Sequence, residues 1–75
     1  MNVLIQPNPN EGVFFVKGGD VYAPIIIYDA NGRKVYDALN LTEETKVDLG
    51  NVSSGLYYLQ TTFGGNPIRV KISIL

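Results

Sequence analysis

SGLYYLQTTFGGNPIRVKISIL, residues 54–75, decides the fold. From Ile68 onward the alternation is unbroken: Ile68, Val70, Ile72 and Ile74 point one way, and Arg69, Lys71, Ser73 and Leu75 the other. Successive side chains of a strand alternate faces, so this is a half-buried strand with one apolar and one wet side. In the preceding strand Tyr57, Leu59 and Phe63 are expected to face the core, with Leu56, Tyr58, Gln60 and Thr62 facing outward or into a neighbour. Gly64-Gly65-Asn66-Pro67 supplies the turn between the two. Terminal residues usually fray. Here they belong to the core, which makes the C-terminus matter.

Upstream, Thr45 to Leu49 reads as a short strand with Val47 and Leu49 on one face, and residues 50–55 as a corner. Leu49, Val52, Gly55 and Tyr57 resemble the corner of immunoglobulin-like sandwiches, where a tyrosine hydroxyl bonds back to the loop before its strand. Asn40 to Thr45 is polar, with room for at most one helical turn over Thr42–Thr45. Asn40-Leu41-Thr42 fits the glycosylation pattern, a match too common to carry weight.

Ile25-Ile26-Ile27-Tyr28 is the most hydrophobic patch, and adjacent isoleucines cannot share one face, so this strand is central or covered on both sides. Pro24 stands at its start, where a missing donor is tolerated. Asp29-Ala30-Asn31-Gly32 is the clearest turn. A two-residue Asn31-Gly32 loop places Tyr36 opposite Ile27 and Val35 opposite Tyr28; a type I turn with a left-handed Gly32 places Val35 opposite Ile27 and Tyr36 opposite Ile26. The second keeps Ile25, Ile27 and Val35 on one face and is favoured, because a one-residue slip flips every side chain. Asp29 and Asn31 also match the start of a calcium loop, but no glutamate follows at the required spacing. No metal site is expected.

At the start, the apolar run Asn2–Ile5 is broken by Gln6-Pro7-Asn8-Pro9-Asn10-Glu11-Gly12, whose prolines exclude a helix. Gly12 to Lys17 is a strand stopped by Gly18-Gly19-Asp20. The pattern is all-β: one small antiparallel β-sandwich, immunoglobulin-like, of about seven short strands.

Composition narrows function. Six basic and seven acidic residues are scattered without a like-charged run, which argues against nucleic acid. No window approaches the roughly 20 apolar residues of a membrane span. The chain has no cysteine and no histidine, removing the thiol nucleophile, the usual general base and the commonest zinc ligands. Gly18-Gly19 and Gly64-Gly65 lack the following helix of a phosphate loop. A catalytic role and a cofactor are therefore not expected. A carbohydrate-binding or spacer sandwich is the alternative, with Tyr22, Tyr28, Tyr36 and Tyr58 as candidate stacking residues. Their strand propensity equally fits half-buried positions on sheet faces.

Three segments, in this order, resemble the C-terminal sorting domain of the type IX secretion system (type A) of Bacteroidota. Pro7-Asn8-Pro9-Asn10-Glu11-Gly12 is similar to that family's Pro-Asn-Pro-x-x-Gly; Ile25 to Val35 is similar to its "hydrophobic-Tyr-Asp-x-x-Gly-Arg/Lys-x-Val" hairpin. Val47-Asp48-Leu49 with Val52 to Leu59 is similar to its "Ile-Asp-Leu…Leu-x-x-Gly-hydrophobic-Tyr" corner. The chain departs from the pattern in Val52, where leucine is usual, and in ending on Ser73-Ile74-Leu75 rather than on a basic residue.

The resemblance implies an address: a single domain, residues 1–75, at the C-terminus of a larger cargo that reaches the periplasm by a separate signal. An outer-membrane translocon would recognise it, and the system's sortase would remove it as the cargo is secreted or fixed to the cell surface. It implies recognition through Asn8, Pro9, Gly12, Gly32, Gly55, Tyr57, Arg69 and Lys71, of which Arg69 and Lys71 have the least structural reason to be there. A final strand at a sheet edge also exposes unpaired backbone, a template for a translocon strand or for dimerisation.

Overall fold

The computed structural model describes Val3–Leu75; Met1 and Asn2, where the expected apolar run begins, lie outside the described residues. The strands are β1 (Val3–Gln6), β2 (Val13–Gly18), β3 (Pro24–Asp29), β4 (Lys34–Leu39), β5 (Glu44–Asp48), β6 (Gly55–Phe63) and β7 (Asn66–Ile74). They form a three-stranded sheet, β1-β2-β5, and a four-stranded sheet, β4-β3-β6-β7, with every neighbouring pair antiparallel. This is an immunoglobulin-type arrangement in which β4 extends the second sheet beside β3. β3 is central, as its isoleucine run requires. The Thr42–Thr45 span holds no helical turn and runs into β5.

The core lies between the sheets. Phe14, Val16 and Val47 from one sheet meet Ile25, Ile27, Leu59 and Ile72 from the other, all almost fully buried. The alternation from Ile68 is as expected: Ile72 and Ile74 are buried, Ile68 and Val70 pack against the core, and Arg69, Lys71, Ser73 and Leu75 are exposed.

Two expectations are corrected. The turn after β3 is the type I turn with left-handed Gly32: Gly32 N–H donates to Asp29 O (3.0 Å) and Asp29 N–H to Arg33 O (2.9 Å). Yet Tyr36, not Val35, pairs with Ile27, because a bulge follows the Tyr28–Lys34 pair. A bulge sets two residues against one. Val35 and Tyr36 thereby both pack against the core, where strict alternation allowed one of them. The second correction is Phe63, which is 43% exposed. Its column ends inside the sandwich at buried Thr61; Gly19, one residue past the end of β2, already lies against Thr61 and Thr62, so the facing strand stops short of Phe63.

Polar anchors that the sequence did not flag tie the loops of one end together. The carboxylate of Asp20 accepts bonds from Gly64 N–H (2.7 Å), Gly65 N–H (2.8 Å) and Thr62 Oγ1 (3.0 Å), fixing the β6–β7 turn. Asn40 is 1% exposed; its Nδ2 donates to Gly18 O and Asp20 O, and its Oδ1 accepts from Thr45 Oγ1. The nitrogen of the glycosylation pattern is thus buried and committed.

Donation by Gly65 and Gly64 N–H holds the Asp20 carboxyl below its ordinary 3.8. Asp29 is likewise lowered, chiefly by Arg33 N–H. A lowered folded-state value means stability that is complete above the unfolded pKa, near 3.8, and lost as pH falls through the folded values. The melting temperature is therefore expected to be flat above about pH 5 and to fall in acid. An Asp20→Asn, Asp29→Asn double variant is expected to start lower and to show a shallower acid decline in a thermal-melt series. An unchanged decline would remove these two carboxylates from the account.

Candidate functional site: the C-terminal end of the sandwich

β6 is nine residues long, about 30 Å at ~3.3 Å per residue, which matches the 31 Å longest dimension of the molecule. Antiparallel pairing sends the loops to two separate ends. Val3, paired with Gly18, lies at the end that carries the Gly19–Ala23 loop, the Asn40–Glu43 loop and the Gly64-Gly65 turn. The other end carries Pro7–Gly12, Ala30–Arg33, Leu49–Ser54 and Leu75. All three motif segments converge there.

The contacts between these segments are direct. Leu49 N–H donates to Gly12 O at 2.8 Å. Gly12 is buried with φ 108°, and a Cβ on it would come within 3.3 Å of Gly50 O and 3.7 Å of Val52 Cγ2. Both its backbone conformation and the space call for glycine. The Asp29–Arg33 turn faces the β5–β6 corner across a cleft of about 370 Å³, lined among others by Asp29, Arg33, Val35, Val52, Gly55 and Tyr57. Tyr57, 6% exposed, donates its hydroxyl to Ser53 O at 2.7 Å, closing the expected tyrosine corner. Gly55 has φ 137° and open space where a Cβ would go, so its requirement is conformational.

The Pro7–Gly12 loop also holds the final strand. Asn8 Oδ1 accepts from Ser73 N–H (3.0 Å) and Asn8 Nδ2 donates to Lys71 O (3.1 Å). Asn10 N–H donates to Ser73 O (3.0 Å), and Leu75 N–H donates to Asn10 O (2.8 Å), in a parallel bridge. Asn10 is itself buried, its side chain bonded to Pro7 O (2.9 Å) and Gly12 N–H (2.8 Å). Asn10 is a residue the sequence reading missed. The Asn10-Glu11-Gly12 spacing, which suits an asparagine bonding the backbone two residues on, was the available signal.

Asn8, Gly12, Gly55 and Tyr57 therefore sit together at this end, with exposed Pro9 and Gly32 on the same loops. Arg69 and Lys71 lie on the outer face of β7, where Arg69 lines a second cleft with Tyr28, Asp29, Gly32 and Tyr58. Arg69 lies over the Tyr58 ring, 5.6 Å from its centroid, and donates to Gln60 Oε1 at 3.3 Å. The four tyrosines weighed as a sugar platform do not share a surface. Tyr28 and Tyr58 are opposite one another on the outer face, Tyr36 packs against the core, and Tyr22 lies 73% exposed at the far end. Among the described residues no cluster of metal-ligating side chains occurs.

The architecture is that of a small β-sandwich module whose distinctive residues are gathered at one end, around its last strand. The chain belongs to the family of secretion system C-terminal sorting domains, which it matches over residues 4–75. It is thus a sorting-signal domain of the type IX system, a class associated with proteins secreted or held at the surface through the outer membrane. None of the curated proteins matches it. A solved structure of PorZ, described as an essential bacterial surface component of the type-IX secretion system of human oral-microbiomic Porphyromonas gingivalis, shares the fold at TM-score 0.82 and 21% identity. The similarity covers 97% of this chain and 11% of that one.

Proposed function

We propose that residues 1–75 act as one C-terminal module directing a cargo across the outer membrane, read by the translocon and then removed by the system's sortase. The observation that carries this reading is the convergence of Pro7–Gly12, Asp29–Arg33 and Val52–Tyr57 on the end where Leu75 lies. Val3 lies at the opposite end, so a cargo joined ahead of β1 leaves that cluster unobstructed. On this reading Asn8, Pro9, Gly12, Gly32, Gly55 and Tyr57 build the recognised end, and Arg69 and Lys71 flank it.

Delivery is the test. A periplasm-directed fluorescent reporter carrying residues 2–75 is expected outside the cells of a Bacteroidota host and, without these residues, in the periplasm. Retention of both, in a host that secretes its own cargo normally, would overturn the reading. Cleavage at the junction, seen as a reporter freed of the domain only when the sortase is present, tests the removal step separately.

A further inference from the structure

The edge of β7 is divided into a covered and an open half. Ser73 and Leu75 backbone groups and Lys71 O turn away from β6 and are bonded by Asn8 and Asn10. By the alternation of an antiparallel ladder, Pro67 O, Arg69 N–H, Arg69 O and Lys71 N–H turn the same way. No partner meets these four among the described residues. Pro67, with no N–H, occupies the position where an edge strand tolerates it.

The other edges are less available. β4 is interrupted by the bulge at Val35, and its outward Lys34 and Asp37 pair with each other at 2.9 Å. β1 has four residues, and β5 carries the acidic Glu44 and Asp48 about Lys46.

Charge singles out the occupant. Of the six cations, Lys17, Arg33 and Lys34 are in ion pairs, which leaves Lys46, Arg69 and Lys71 without one among the described residues. Arg69 and Lys71 share one exposed face of β7, directly beside the open backbone groups. A strand added at this edge would set its side chains opposite theirs, where opposite charges stabilise pairing and like charges oppose it.

We propose that the Pro67–Lys71 edge of β7 is a docking site for an extended acidic strand of the secretion machinery, with carboxylates on alternate residues opposite Arg69 and Lys71. The identity of that partner rests on the sorting role above; the docking itself does not.

The test uses the 75-residue chain and a short, capped peptide of alternating glutamate and valine, followed by backbone amide NMR. The amides of Arg69 and Lys71 are expected to shift, those of β4 to stay, and a lysine–valine peptide to have no effect. Arg69→Glu with Lys71→Glu is expected to weaken binding about tenfold or more, since like charges now face each other. Arg69→Gln and Arg69→Pro lose the same charge, but only the proline removes the outward N–H, so the proline variant is expected to bind more weakly. Static Arg69 and Lys71 amides, equal response to both peptides, or unchanged affinity after charge reversal would each overturn the proposal. In the delivery assay the double reversal is expected to reduce export while Lys46→Glu does not. Failure of the native domain to deliver would sink the sorting role alone; undiminished delivery by the folded double reversal would sink the edge as the machinery's docking site.

Discussion

A chain ending at Val70 is expected not to fold. The deletion removes Ile72 and Ile74, both buried, together with the ladder bonds that β7 makes beside Gly55–Tyr58. Losing one buried isoleucine side chain typically costs about 2–5 kcal/mol. A domain of this size holds roughly 4–11 kcal/mol in total, at about 0.05–0.15 kcal/mol per residue. The loss also strips the side chain of Asn8 and the backbone of Asn10 of their partners on β7, so the Pro7–Gly12 loop no longer clasps the second sheet. Thermal and urea melts of this truncation should show no cooperative transition. Deletion of Leu75 alone is the comparison: its side chain is exposed and its backbone donates one bond to Asn10, so about 1 kcal/mol is expected. A cooperative melt from the longer deletion would mean that the sandwich closes without its last strand. The contrast matters for the delivery assay, where truncation confounds unfolding with lost recognition and charge reversal on the exposed face does not.

Phe14→Ala is the second large effect. Phe14 is 0% exposed and reaches between the sheets from β2, the middle strand of its sheet, so its removal is expected to cost about 3–5 kcal/mol. Its neighbour Phe15 is 39% exposed on the opposite face, and Phe15→Ala is expected to cost about 1 kcal/mol. Urea denaturation of the two variants reads the difference. Comparable losses would contradict the assignment of β2's faces, which Phe14–Val47 and Phe15–Lys46 pairing define.

The features that local sequence could reveal are those set by local chemistry. Ile68 to Leu75 alternates without a break, Ile25 to Tyr28 is too apolar for an edge, and the corner before Tyr57 carries its own glycine and hydrogen-bond donor. The type I turn at Asp29 is similarly local: Asp29 Oδ1 accepts from Asn31 N–H and Arg33 N–H, both at 2.9 Å. What escaped depends on distant partners. The Val35 bulge is favoured because Val35 and Tyr36 both find core contacts, and nothing in Lys34–Leu39 itself distinguishes that register. Phe63 is exposed because the facing sheet stops short of it. The carboxylate of Asp20 finds its partners 42 to 45 residues away, and the side chain of Asn8 its partners 63 and 65 residues away. The full exposed edge expected of β7 is half covered for the same reason.

The clasp between the first loop and the last strand also bears on when the domain can form. Its side-chain bonds join positions 63 and 65 residues apart, and non-local pairing is slow to form. While the chain is being synthesised, the Pro7–Gly12 loop is made long before Ser73 exists to receive it. Closure therefore waits for the final residues. A product cut short anywhere in β7 lacks part of the clasp, so the sandwich closes only after its last strand has been made.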